Sequence, residues 1–183
     1  MNVLLGVTGS IAAYKAAELA RLFVRNGDDV KVVMTAAACE FVRPLLFRTL
    51  TRNEVAVDEF AAPAQWKPGH VALAEWAGVA VVAPVTANTI AKMARGIADN
   101  LLSGVLLATR APVVVAPAMN DGMWENPATR ENIAILERRG VAIAGPGEGF
   151  LACGSSGRGR MAEPQTVFEA VLAAAAAAGG AAK

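Results

Sequence analysis

Histidine and tyrosine each occur once in the 183 residues, cysteine occurs twice, and aromatic side chains together make up 5% of the chain. Two cysteines cannot build a disulfide scaffold, so Cys39 and Cys153 are each either a small core residue or chemistry. With 55% of the residues apolar but so few rings, the core has to be assembled from Ala, Val, Leu and Ile. Net charge is +1 and no Lys/Arg cluster runs along a face, which removes the electrostatic footprint of a nucleic-acid binder. A charged leader followed by an apolar stretch is missing, as is any apolar run of the ~18–20 residues that a membrane-spanning helix needs. The expectation is a cytoplasmic protein with no nucleic-acid or membrane partner and no metal. The length suits one domain burying about 70% of its unfolded surface. That domain is expected over residues 1–172, with the Ala/Gly-rich 173–183 as a frayed end or linker.

What the chain does contain is a series of short β-branched runs, each opening into polar residues. Residues 2–7, 30–34, 79–83 and 113–115 read as strands, with shorter ones at 54–57 and 141–144. Val113, Val114 and Val115 are unbroken by polar residues, as expected of an interior parallel strand covered on both faces. Helices are predicted over 11–25, to about residue 50, over 70–76, 90–96 and up to 109, over 127–139, and from 163 or 164 onward. Strands alternating with helices describe an α/β domain with a parallel sheet. Open sheets of that kind place ligands beyond the carboxyl ends of their strands.

The polar residues that follow each strand are therefore the candidates. Thr8-Gly9-Ser10, leading into an Ala-rich helix, aims backbone N–H groups at one point and reads as an anion site. With only Gly6 and Gly9 in place of a G-x-G-x-x-G pattern, a mononucleotide phosphate fits better than a dinucleotide. The plainer reading makes Ser10 an N-cap. Thr35 meets a ligand hydroxyl or phosphate, or caps a helix. Thr86, Asn88 and Thr89 form a second candidate ligand loop, whereas Asp99 and Asn100 read as N-caps. Asn120 carries both a donor and an acceptor and so orients a carboxylate or amide; alternatively it caps the helix that begins near Asn126-Pro127. His70, exposed at the first turn of its helix, is either inert or functional. The glycine-rich 145–164 cannot be rigid by itself and reads as a lid or binding loop, carrying Cys153, with Arg158 and Arg160 able to recruit an anion. The alternative is a floppy surface loop with a stray thiol.

Five ordered blocks carry a resemblance over nearly the whole chain to about residue 170. They are Gly-Val-Thr-Gly-Ser-Ile-Ala-Ala-Tyr-Lys (6–15), Thr-Ala-Asn-Thr-Ile-Ala-Lys-Met-Ala (86–94), Gly-Ile-Ala-Asp-Asn-Leu-Leu (96–102), Pro-Ala-Met-Asn (117–120) and Ala-Cys-Gly-Ser-Ser-Gly-Arg-Gly-Arg-Met-Ala-Glu-Pro (152–164). Together they resemble the flavin-dependent cysteine decarboxylases. The resemblance implies a three-layer, flavodoxin-like (Rossmann-like) sheet, FMN as cofactor, and a homo-oligomer of trimers or assemblies of trimers with the active site between subunits. It implies 4'-phosphopantothenoylcysteine, an intermediate of the coenzyme A pathway, as small-molecule substrate.

Carried over by position, Gly9, Ser10 and Ile11 would form the FMN phosphate loop and Thr35 would lie beside the ribityl chain. Thr86, Ala87, Asn88 and Thr89 would form the second FMN loop, and Ala118 would approach the flavin. Asn120, Met123 and Cys153 would meet the substrate, with His70, Asn120 and Cys153 catalytic and Cys153 the acid of the reductive step. Val85-Thr86 stands where Ala-Ser is more usual, which keeps the hydroxyl, and Gly78 stands where Asp is common. Two rivals share the resemblance. A peptidyl-cysteine decarboxylase of peptide-antibiotic maturation stops at the ene-thiol and has no use for a proton donor in the flap. A non-catalytic phosphatase inhibitor would have lost parts of the site, whereas His70, Asn120 and Cys153 are all present.

Overall fold

The computed structural model of the chain describes residues 1–60, 68–150, 154 and 156–181. Its elements run β1 (Asn2–Val7), α1 (Ala13–Arg25), β2 (Asp29–Met34), α2 (Ala36–Cys39), α3 (Pro44–Thr51), β3 (Val55–Ala56), α4 (Gly69–Trp76) and β4 (Val79–Val85). They continue with α5 (Ala87–Arg95), α6 (Leu101–Ala108), β5 (Val113–Pro117), α7 (Asp121–Glu125), α8 (Pro127–Arg138), β6 (Ala142–Ile143), β7 (Gly147–Phe150), β8 (Ser156–Arg160) and α9 (Pro164–Ala181).

Strands β1 to β6 form one parallel sheet in the order β3-β2-β1-β4-β5-β6. Leaving out the two-residue β3, the order is that of the flavodoxin-like fold, with the connections reversing direction between β1 and β4. The register aligns Leu5 with Val32 on one side and Val81 on the other, and Val81 with Val114. Residues from these strands alternate between two cores, as a period of two requires. Val3, Leu5, Val7, Val79, Val81, Ala83, Val114 and Ala116 pack on one face, where Phe23 of α1, Phe47 of α3 and Val167 and Val171 of α9 are fully buried. Leu4, Ala80, Val82, Val85 and Val115 pack on the other, against Ile90, Leu102, Val105 and Leu136 from α5, α6 and α8. Gly6 belongs to that second face: a Cβ there would stand 2.7 Å from the Leu102 side chain, so the missing side chain lets α6 close on β1.

The α/β layering therefore matches expectation, and the inward stripe of α1 is Ala16, Leu19 and Phe23, each 0% exposed. Four local readings change. First, α1 begins at Ala13 rather than 11, and Ser10 does not cap it: Ala12 occupies the N-cap position in helical geometry, while Ser10 Oγ accepts from the Ala12 N–H at 3.3 Å. Second, β4 extends to Val85 and α5 starts at Ala87, so Asn88 and Thr89 lie in a helix's first turn instead of a loop. Third, much of 145–164 is an antiparallel hairpin, β7 with β8, because backbone pairing orders glycines that a sequence pattern reads as loop. Fourth, α9 continues to Ala181 through the Ala-rich tail, in keeping with alanine's high helix propensity.

Phe23 tests how far the first core depends on its few rings, since it is fully buried and packs on Phe168 with ring centroids 5.1 Å apart. Phe23→Ala is expected to lower the unfolding free energy by about 3–5 kcal/mol. Urea titration followed by circular dichroism measures it; a loss below about 1 kcal/mol would mean the cavity collapses.

Candidate active site

The buried hydroxyl of Thr8, 1% exposed, joins the two strands that flank the reversal point. Its Oγ1 donates to the Pro84 carbonyl at 2.8 Å and accepts from the Thr86 N–H at 3.0 Å, while the Thr8 N–H also reaches the Pro84 carbonyl at 3.3 Å. One side chain thus fixes the loop after β1 against the loop after β4. The loop after β5 is tied on by the Ala118 N–H donating to the Val85 carbonyl at 3.1 Å. Thr86 then caps α5, its Oγ1 accepting from the Thr89 N–H at 3.3 Å, and Thr89 Oγ1 lies 3.2 Å from Thr86 Oγ1.

These three strand ends open on a cavity of about 510 Å³, within the size range of small-molecule and cofactor sites. Gly9, Ser10 and Ile11 come from the first loop, Thr86 and Ala87 from the second, and Ala118, Met119, Asn120 and Met123 from the third. Gly9 and Ile11 keep backbone N–H groups with no acceptor among the described residues. Two donors with nothing to bond, at a strand-to-helix turn on the cavity wall, suit an anion. Asn120 Oδ1 accepts the Gly122 N–H at 2.9 Å. That bond caps the short α7, and it turns the amide so that Nδ2 is its donor end. The helix from Pro127 has a separate cap, Asn126, whose side chain accepts from the Ala128 N–H.

The hairpin roofs this cavity. Met119 N–H donates to the Gly159 carbonyl at 2.9 Å, and a Cβ on Gly159, with φ +155, would collide with the Met119 carbonyl oxygen. A glycine is required for β8 to lie so close to the loop that carries Asn120. Arg158 reaches over the Trp124 ring, 5.8 Å from its centroid. Buried Lys15 on α1 holds the far end: its Nζ donates to the Met161 carbonyl at 3.2 Å and to Glu163 Oε1 at 3.0 Å. A lysine 5% exposed is tolerable only with such partners. The Lys15 hydrogen bond, reinforced by the charges of Lys15 and Arg160, outweighs partial burial and holds the Glu163 carboxyl below its ordinary value of 4.5.

The expected site residues are thus partly gathered. Gly9, Ser10, Ile11, Thr86, Ala87, Ala118, Asn120 and Met123 meet at one cavity, together with Arg160. Thr35 does not line it; its hydroxyl accepts from the Ala38 N–H at 3.2 Å, which makes it the cap of α2. Asn88 and Thr89 also lie off the lining. Asn100 caps α6 with a capping box through Ser103, as expected, and Asp99 instead pairs with Lys92 at 2.8 Å. His70 is half-buried at the start of α4, not exposed, with Nδ1 3.3 Å from Glu59 Oε1, and it too is outside the cavity. Cys153 lies outside the described residues. Thr8 was named in the sequence only as part of the anion-site turn and its bridging hydroxyl was not foreseen, although it stood at a strand end where its burial was inferable; Phe41 and Phe150 were not read as cavity residues.

The flavoprotein family matches residues 1–176. Among curated proteins, the coenzyme A biosynthesis bifunctional protein CoaBC of Bacillus subtilis is 48% identical over 168 residues, 92% of this chain. This chain spans about two fifths of that relative's length, 41%. Among solved structures, a Cys-to-Ser variant of PPC decarboxylase complexed with pantothenoylaminoethenethiol superposes with a TM-score of 0.83 at 35% identity, covering 94% of this chain and 96% of the other. The FMN-dependent cysteine decarboxylase SpaF superposes with a TM-score of 0.81 at 31% identity, covering 96% and 97%.

The tie between α1 and the hairpin root is measurable through pH. Because the Glu163 pKa is lowered by folding, its contribution is fully present above the ordinary carboxylate range and disappears as pH falls through the lowered value. Glu163→Gln is expected to lower stability toward urea slightly at pH 7, by less than ~1 kcal/mol for so exposed a carboxylate, and the gap to the parent is expected to narrow as pH is lowered through and below the ordinary carboxylate range. A gap that stays constant or widens as pH falls contradicts the assignment.

Proposed function

The chain belongs to the flavoprotein family, and on that footing we propose that it is an FMN-dependent decarboxylase acting in the cytoplasm on 4'-phosphopantothenoylcysteine. The products are CO2 and 4'-phosphopantetheine, in coenzyme A biosynthesis. The observation that carries this reading is the convergence of three strand-end loops on one cavity, with two backbone donors that have no acceptor among the described residues on one side and an oriented amide on the other. The bifunctional coenzyme A relative and the PPC decarboxylase structure support the substrate class.

The residues fit FMN. The N–H groups of Gly9 and Ile11, with Ser10 between them, would hold its phosphate. Thr86 and Ala87 would border the ribityl chain, and Ala118, 5% exposed, offers a flat contact for the ring. When bound, FMN supplies two-electron chemistry, accepting the pair that turns the CH2–SH of the substrate's cysteine into a thioaldehyde and returning it once CO2 has left.

The chain's own groups do the rest. The Nδ2 end of Asn120 donates to the substrate carboxylate and holds it facing the ring, in register with the sulfur-bearing carbon. The hairpin above excludes water, which protects the ene-thiolate left by decarboxylation and strengthens the hydrogen bonds around it. Reduction of that ene-thiolate needs a proton at carbon, and Cys153 is assigned to deliver it from the flap. His70 is outside its own subunit's cavity, so on this reading it serves the site of a neighbouring copy in a homo-oligomer. Large apolar side chains exposed around the cavity mouth support a covering copy: Ile11 at 59%, Tyr14 at 61%, Phe41 at 50% and Phe150 at 71%.

Mass analysis of the product made from 4'-phosphopantothenoylcysteine tests the proposal. Saturated 4'-phosphopantetheine with one CO2 is expected, and release of the ene-thiol as final product would instead favour peptide-type decarboxylation. Cys153→Ser is expected to keep CO2 release but stop at the ene-thiol, with full turnover removing Cys153 from the mechanism. Asn120→Asp sets a negative charge against the carboxylate, so kcat/KM is expected to fall by about 100-fold or more while FMN stays bound. Parent-like turnover by that variant contradicts the carboxylate role.

A further inference from the structure

Among the described residues, Lys15 and Arg160 are the two cations on the cavity wall and no carboxylate lines it. Both reach the same acceptor, Glu163 Oε1, at 3.0 and 2.8 Å. Two positive charges on one negative leave a surplus, and the two cations do not share it equally. Lys15 has a side chain only 6% exposed and is committed twice, to Glu163 and to the Met161 carbonyl. The Arg160 side chain is 46% exposed and meets Glu163 through one nitrogen of a guanidinium that has five N–H donors. An ion pair at that exposure is weak and readily exchanged. Buried Lys15 therefore neutralises Glu163, and the unspent charge belongs to Arg160. The other arginine of the hairpin, Arg158, stands over Trp124 and does not line the cavity.

We propose that Arg160 is a subsite for a phosphate monoester and that its occupant is the terminal phosphate of the substrate, with Lys15 and Glu163 as the positioning pair behind it. The proposal rests on the decarboxylase reading above. A guanidinium presents a planar fork that matches two phosphate oxygens, which a lysine cannot do. The FMN phosphate has its own donors at the start of α1. Arg160 instead follows Gly159, the residue seated on Met119 beside Asn120, and so stands on the substrate's side of the cavity. The carboxylate at the substrate's other end is assigned to Asn120, which leaves the phosphate as the anion without a partner.

The test compares steady-state kinetics of the parent, Arg160→Gln and Arg160→Lys on phosphopantothenoylcysteine and on the same compound without its phosphate, pantothenoylcysteine. Binding of FMN and of riboflavin to the apoproteins is measured alongside. The preference for the phosphorylated substrate, taken as the ratio of kcat/KM values, is expected to drop on the order of 10- to 100-fold in Arg160→Gln. The drop should come mainly through KM and be partly restored in Arg160→Lys. The preference for FMN over riboflavin is expected to stay at the parent value. An equal fall on both substrates, no fall, or a lost preference for FMN each overturns the assignment. A parent enzyme that releases CO2 from neither compound overturns the decarboxylase reading itself.

Discussion

The bridging hydroxyl of Thr8 is the constraint on which the rest of the site depends. A parallel sheet whose connections reverse direction must part its loops between two neighbouring strands, here β1 and β4. The crevice is a consequence of topology, but its width is not. Thr8 sets that width by accepting from Thr86 and donating to Pro84 in a place where water does not reach. Both backbone partners sit at the strand ends, so the hydroxyl satisfies groups that would otherwise be costly to bury. With the first two loops held in this way, the helix starts behind them face one cavity from opposite faces of the sheet.

Over that frame the hairpin is held at separate points by different physics. At its centre the contact is steric: Gly159 meets Met119 backbone to backbone, a distance that no side chain allows. At Arg158 the contact is with an aromatic face, Trp124, which Arg130 approaches from α8 at 5.0 Å. At the root it is ionic, through Lys15 and Glu163, and the lysine belongs to the helix that begins at the proposed phosphate loop. The roof and the floor of the cavity are therefore one connected structure, and a change in hairpin position is felt at α1. Glycines let β8 approach while leaving it little side-chain packing of its own, so these three anchors supply what a hydrophobic core supplies elsewhere in the chain.

Charge follows the same division of labour. Apolar side chains and small residues make most of the cavity wall, and the polar groups are few and individually oriented. Asn120 is turned by Gly122, and Arg160 is backed by a carboxylate whose charge a buried lysine already cancels.

Much of the architecture was legible in residue order. Valine-rich runs with no polar interruption read as buried parallel strands, and the polar residues after them gather at the carboxyl edge, so Gly9, Ser10, Thr86 and Asn120 were candidates along one edge without coordinates, whereas Ala118 came from the family resemblance alone. Local competition settled what the pattern left open. Thr35 is drawn into capping because a free Ala38 N–H lies within its reach, and Asn120 caps a short helix that its own sequence does not announce. The glycines of 147–160 carry no side-chain pattern to betray a strand, since their order comes from backbone pairing and from docking against Met119. Lys15, a residue of an amphipathic helix, becomes the root of the roof only because Glu163, 148 positions away, is folded back onto it. Hydrophobic periodicity and turn chemistry are local properties, which is why the fold and the cavity floor were written in the chain itself. Ion pairs and steric seats between distant segments exist only once the chain has closed, so the roof and the placement of its charges were decided by tertiary structure alone.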